Sequence, residues 1–394
     1  MKTVIFAPTF LRSKFFFNLY NQILQNKKYE VIFITIKQSA FNFLKSKGVN
    51  VINLKHISEV ELNEDQRNFF QKRMEQALLV DKKIGILSEK KLISNYWYLV
   101  KRLVNFFQKN ECDNFLIFNG SAQYIEFVAK LVGQYFNCNN IFFEIGNFPD
   151  KIFVDKKGVN ADSSLMELDL RNFPCDLNSF LKFKENYLFH KEQDHFVPQA
   201  KVKVNNFYKI LDHDRFEPSV FFRGWDFLKK FKKEQIVFDY LPDEKFLFFP
   251  LQVSYDSQVL RFSDVSLLEA IDIASDEAKK KDLMFVVKPH PAELNHSIIN
   301  YARKKGALIV NTNTYQLLKK ASKIYTINST VGLESFFYNK PLTILGKAFY
   351  KKYLNDSYEN KLKVLCNYMN NILLNGNYFD EKVKIDKKIL KFFK

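Results

Sequence analysis

The chain has 394 residues, is 47% hydrophobic, and sets 60 Lys and Arg against 43 Asp and Glu for a formal charge of +17. That length exceeds one ordinary domain and points to two, and the apolar content supplies sizeable cores and argues against disorder. The cationic balance favours an anionic partner such as nucleic acid, a phospholipid surface or a phosphorylated donor, although an AT-biased genome rich in Lys, Asn and Phe codons accounts for it equally well.

No apolar run approaches the ~20 residues that span a bilayer, so the expectation is a soluble or peripheral, cytoplasmic protein. The opening MKTVIFAPTFLRSKFFF breaks at Pro8 and Arg12 and reads as a first strand rather than a signal peptide. Cys112, Cys138, Cys175 and Cys366 are scattered without a CxxC spacing, and are expected to be ordinary thiols of a reducing compartment. The histidines form no metal-ligand pattern.

In chain order, short apolar runs alternate with helical ones. Strands are predicted at residues 3–7, 30–36 and 49–54, with helices at 15–25 and 39–47 between them. Residues 59–108 are charged and predict two long helices. A strand at 113–119, a helix at 124–136 and a strand at 140–144 follow, the last ending in Glu144-Ile145-Gly146. From 153 to 225 the periodicity weakens, and irregular structure crossing between two domains is expected. The segment 157–164 (KGVNADSS) reads as a binding loop.

The second half repeats the alternation. Strands are predicted at 245–253, 283–288, 307–310, 324–327 and 341–344, and helices at 267–278, 298–304, 315–319 and 331–337. This pattern is α/β with parallel sheets, and two successive Rossmann-like domains facing a central cleft suggest a GT-B-type fold. The expected domains are 1–225 on the acceptor side, 226–375 for nucleotide-sugar binding, and a basic amphipathic tail, 376–394.

Three strand ends in the second half carry chemistry. Asp256 follows the first, inside a polar cluster with Gln252 and Gln258 on either side and Arg261 beyond. A carboxylate there suits a nucleophile or general base, and equally a helix N-cap. His290-Pro291 ends the next strand, with Lys288 two residues earlier; two potential cations there favour an anion. The third end reads TINSTVG, where Asn328, Ser329 and Thr330 precede a helix and suit either a phosphate or plain capping. In the first half, Glu144 beside Gly146 suits acid/base work toward a hydroxyl, or is a solvated turn acid.

In this order, PLQVSYDSQ, KPHP and TINSTVGLESFFYNKPLTILGKAFY, preceded by FFEIGNFPDKIFVDKKGVNADSSL, resemble the capsule polysaccharide β-Kdo transferases of the KpsS/KpsC type. The likeness covers roughly residues 113–165 and 245–350, with a length suited to the single-module KpsS form. It implies a GT-B fold, a CMP-β-Kdo donor, and a (lyso)phosphatidylglycerol acceptor at the cytoplasmic face of the inner membrane. It further implies retention of the β configuration, no cofactor and no divalent metal, and capsule assembly and export proteins as partners. By the same likeness Asp256 is the nucleophile and Glu144 the acid/base, while His290, Ser329 and Thr330 hold the CMP phosphate. Lys288, Gln252 and Asn328 are further contacts. The chain departs from the family around Ile145, Asn147 and Pro149-Asp150, which bears on the acceptor more than on the donor.

Two other readings stand beside this one. A GT-B transferase or epimerase acting on another nucleotide sugar needs the same strand ends. A non-catalytic basic protein binding lipid or nucleic acid needs only the charge, but no nucleic-acid motif is present.

Overall fold

The computed structural model describes residues 1–25, 29–193, 236–293 and 295–394. The chain forms two compact units. One comprises Met1–Ser164 and Ile372–Lys394; the other comprises, among the described residues, 165–193 and 236–371.

The first unit is built on a seven-stranded sheet. Strands β1 (Lys2–Phe6), β2 (Glu30–Thr35), β3 (Val51–Asn53), β4 (Asn114–Phe118) and β5 (Asn139–Ile145) are parallel, in the order β5-β4-β1-β2-β3. A hairpin strand β6 (Lys151–Asp155) adds antiparallel to β5. Helices α1 (Phe10–Leu19), α2 (Gln38–Ser46) and α6 (Tyr124–Tyr135) make the crossovers. Between β3 and β4 lie α3 (Glu64–Gln71), α4 (Met74–Ile84) and α5 (Glu89–Lys109), three helices where two were predicted. The break between α3 and α4 falls at Lys72-Arg73, where no Gly or Pro announces it. Phenylalanine fills the core: Phe15 and Phe16 meet Phe118 and Phe143 edge-on at centroid distances of 5.4–6.4 Å.

The second unit holds five parallel strands, β7 (Phe246–Leu251), β8 (Met284–Pro289), β9 (Ala307–Ile309), β10 (Lys323–Thr326) and β11 (Leu342–Ile344). Their order is β11-β10-β7-β8-β9. All six residues of β7 are buried, as a continuous apolar run in the middle of a parallel sheet requires. After the long helix α7 (Leu177–Gln193), this unit contains α8 (Ser257–Phe262), α9 (Leu267–Lys280), α10 (His296–Lys304), α11 (Thr314–Lys320), α12 (Thr330–Glu334) and α13 (Tyr358–Asn367). A Ser266–Glu269 capping box starts α9.

Several expectations are corrected. Residues 165–193 belong with the second sheet rather than the first, because Phe180 stacks on Phe337, Tyr187 packs on the same ring, and Leu170 N–H donates to Tyr353. The predicted border at 225/226 lies outside the described residues. The basic tail is no loose appendage: β12 (Leu374–Asn375) pairs antiparallel with β6, and Ile385, Ile389 and Phe393 are buried in the first core. Its lysines point outward while every third or fourth residue points in. Cys175 and Cys366 are not separate thiols but a disulfide within the second unit, with Cα atoms 6.3 Å apart. Among the described residues no helix is long and apolar enough to cross a membrane.

Candidate functional site

In both parallel sheets the chain starts in the middle, runs outward to one edge, then returns to the other side of the starting strand. The crevice at that reversal, beyond the carboxyl ends of the strands, is where open α/β sheets take ligands. In the second unit it lies between β7 and β10.

The loops leaving β7, β8 and β10 are tied into one rim. Gln252 Nε2 donates to Asn328 Oδ1 at 3.0 Å, and Asn328 N–H donates back to Gln252 Oε1 at 3.1 Å. Asn328 Nδ2 also donates to the carbonyl of Gln258 at 2.8 Å. The two amides expected to contact substrate are therefore spent on each other and on the start of α8, and they act by holding two strand ends together. Across the other gap, buried Glu293 accepts from Ser254 N–H at 2.6 Å and Asn295 N–H at 2.7 Å, and the Tyr255 hydroxyl donates to Ala292 O at 2.9 Å.

Asp256 and His290 stand on this rim. Asp256 is the N-cap of α8, its Oδ1 accepting from Gln258 N–H at 2.9 Å, so the capping reading holds whatever else the carboxylate does. Burial pushes its carboxyl up from the ordinary range, against the opposing pull of that N–H and of nearby His290. Burial likewise pushes His290 down, with Asp256 and Glu293 opposing and Lys288 adding to it. His290 Nδ1 accepts from Ala292 N–H at 3.0 Å. The neutral ring consequently carries its proton on Nε2, as a donor. Lys288, pushed down to about 8 by burial, completes the group. His290 thus interacts electrostatically with both Asp256 and Lys288 at adjacent strand ends.

Ser329 caps α12, its Oγ accepting from Val331 N–H at 3.2 Å, while its own N–H donates to Thr326 Oγ1 at 3.3 Å. Thr330 opens that helix. It has only five residues before a 3₁₀ turn, so little helix dipole stands behind it. Gly332 is required for packing, since a Cβ there would come within 2.6 Å of the Tyr350 hydroxyl.

Two further acids are buried in this unit, Glu293, which the sequence reading left aside, and Glu334, which it placed in the first turn of α12 without a role. Glu293 has just been described. Glu334 accepts from the Tyr315 hydroxyl at 2.6 Å, with the Tyr187 hydroxyl 2.9 Å from that of Tyr315, and burial pushes its carboxyl up to about 7. The signal for it was an acid between Leu333 and Phe336 in an otherwise apolar turn.

In the first unit, Glu144 is the penultimate residue of β5, its Oε1 accepting from Ile145 N–H at 2.8 Å. Gly146 serves the hairpin rather than a ligand: its N–H donates to Lys151 O at 2.9 Å, and a Cβ would meet that carbonyl at 2.7 Å. The expected binding loop after β6 is instead folded onto buried Asp155, which accepts from Lys157 N–H at 2.7 Å and from Gly158 N–H at 3.1 Å. At the reversal between β1 and β4 the sequence reading missed a whole cluster. Arg12 of α1 pairs with Glu126 in the first turn of α6, and the other Glu126 oxygen is buried without a hydrogen-bond partner among the described residues. Burial opposes the Arg12 cation, but Glu126, Tyr378 and Glu144 together raise its pKa. Asp81 accepts from Tyr124 N–H at 2.8 Å and is pushed up to about 7 by burial. Among the described residues no three His, Cys, Asp or Glu side chains are grouped to hold a metal ion.

Comparison with known proteins bears on the second unit most. Residues 231–353 match the family described as capsule polysaccharide biosynthesis protein. That stretch is similar to capsule polysaccharide biosynthesis proteins. It is 27% identical over 122 residues to the capsule polysaccharide export protein KpsS of Escherichia coli, covering 27% of this chain and 31% of that protein. It is 26% identical over 274 residues to the capsule polysaccharide modification protein LipB of Neisseria meningitidis, covering 59% and 63%. The chain thus spans between about a third and under two thirds of the length of these two relatives. Among solved structures, the KpsC β-Kdo 2,7 transferase of Thermosulfurimonas dismutans aligns over 100% of this chain and 98% of its own at 12% identity, with a TM-score of 0.43. At that score the fold rests on the strand orders given above.

Proposed function

We propose that this protein is a KpsS/KpsC-like retaining glycosyltransferase of capsule synthesis that moves β-Kdo from CMP-β-Kdo to a (lyso)phosphatidylglycerol acceptor, starting a poly-Kdo linker. The observation that supports it is the group of Asp256, His290 and Lys288 at neighbouring strand ends, inside the stretch that matches the capsule family. Nε2–H of His290 and the Lys288 ammonium hold the phosphate of CMP and its leaving charge. The ionised Asp256 carboxylate forms a bond to the anomeric carbon as the bond to the CMP oxygen breaks. A general base, the role that the family resemblance gives to Glu144, then takes the proton of an acceptor hydroxyl, whose oxygen bonds to the same carbon and releases Asp256. Two inversions leave the β configuration unchanged. Gln252, Asn328, Gln258 and Ser329 keep the rim in shape. The enzyme needs no cofactor and no metal, and works from the cytoplasmic side against the anionic inner-membrane surface, which its basic charge favours.

The test is incubation with CMP-Kdo and a fluorescent phosphatidylglycerol, with and without EDTA, comparing the protein with Asp256→Asn. Lipid-linked Kdo that forms equally with the variant removes this mechanism. A melting temperature raised by UDP or GDP but not by CMP removes the donor.

A further inference from the structure

The loop before α3, together with α3 and α5, borders a half-open cavity of about 260 Å³ lined by Glu61, Leu62, Arg67, Gln71, Trp97 and Lys101, with Glu61, Arg67 and Gln71 on its exposed side. None of these residues takes part in the clusters described above. Helical spacing builds the lining. Arg67 and Gln71 are four apart on α3, and Trp97 and Lys101 are four apart on α5, so each helix turns one neighbouring pair the same way. The scaffold beneath is fixed. An Asn63–Gln66 capping box starts α3, and Tyr96, beside Trp97, is fully buried with its hydroxyl donating to Phe70 O at 2.8 Å.

Both cations in the cavity are nearly uncommitted. Arg67 makes no side-chain hydrogen bond or ion pair among the described residues. Lys101 has one distant ion-pair contact, 3.9 Å to Glu61, whose side chain is 89% exposed. Such a pair contributes little and yields to a better anion. Beside the cations lie a half-buried indole and an amide. The volume falls just under the roughly 300–1,000 Å³ of pockets for drug-sized ligands, which suits a single sugar ring. An indole covers the C–H face of a pyranose, guanidinium and ammonium take a carboxylate, and the Gln71 amide takes hydroxyls. A phosphate alone would leave the indole unused, and an apolar ligand would leave the cations unused.

We propose that this cavity is a binding subsite for one carboxylated sugar residue of a glycan, stacked on Trp97 with its carboxylate between Arg67 and Lys101. This goes beyond the catalytic reading and does not depend on which nucleotide sugar the second unit takes.

The chain has two tryptophans, so Trp225→Phe leaves Trp97 as the only indole reporter. Glucuronic acid is expected to change its emission saturably, and glucose is not. Arg67→Ala and Lys101→Ala should each weaken the response about tenfold, and Glu61→Gln should strengthen it about twofold. Circular dichroism checks that each variant is folded, with Arg67→Gln and Lys101→Gln as milder replacements. Should Trp225→Phe itself unfold, calorimetric titration of the unaltered protein with the same sugars gives the answer. The proposal is overturned by a flat response to glucuronic acid, by an equal response to glucose or to inorganic phosphate, or by binding that survives loss of both cations.

Discussion

The sheet of β1 to β5 and the sheet of β7 to β11 share one strand order, and each reverses direction beside its first strand. On the rim of the second, His290 and Lys288 accompany two acids, Asp256 and Glu293. At the reversal of the first, Glu126 and Glu144 act on Arg12, and Asp81 stands beside Glu126. One topology thus carries two electrostatic characters. Strand order decides where a ligand sits, and the few residues after each strand decide its charge. Under the proposed mechanism, the second site takes the leaving phosphate and the first takes the hydroxyl that must lose a proton.

The comparison breaks or sharpens under substitution. Asp256→Asn keeps the cap of α8 but should lower Kdo transfer by about 10⁴-fold or more while leaving the melting shift with CMP intact; a variant that turns over normally assigns the carboxylate to capping alone. Glu144→Gln should cost about 10²–10⁴-fold in transfer, again with CMP binding unchanged. Loss of the CMP shift in that variant would mean the two sites do not divide the labour. His290→Ala should weaken CMP by roughly 10- to 100-fold in calorimetry, and the same change at His296 should not.

A smaller effect is expected from pH. Burial lowers Lys288 to about 8, so its charge is present below that pH and lost above it. CMP affinity should therefore fall as pH rises from 7 to 9, and Lys288→Arg, which stays charged, should flatten the profile. An identical profile in both proteins would place the titration elsewhere. The mildest change is Gln252→Ala, which strips the clasp to Asn328 and should cost about 1–3 kcal/mol of stability by chemical denaturation.

Much of the second site was legible because its strands are unbroken apolar runs and its polar residues follow within a few positions, as with Phe246–Leu251 and Gln252 to Asp256. What escaped reading depends on partners far away in the chain. The Gln252–Asn328 clasp joins residues 76 apart, and the Cys175–Cys366 bridge joins residues 191 apart. Arg12, Glu126 and Tyr378 meet only because two crossover helices and the returning C-terminal segment come to one place. Helix α7 hid for another reason: charged and apolar residues alternate along it, and only Phe180 and Tyr187 are deeply buried.

The return of residues 372–394 to the first sheet has a bearing on synthesis. A ribosome releases β1 to β6 long before it makes Leu374, Ile385, Ile389 and Phe393, which complete their packing. The earlier half must wait, with an unpaired edge at β6 and an open apolar face, while the later half can already condense. Nascent chains arrested at residue 371 should therefore protect the sheet of β7 to β11 from protease and leave that of β1 to β6 open to cleavage.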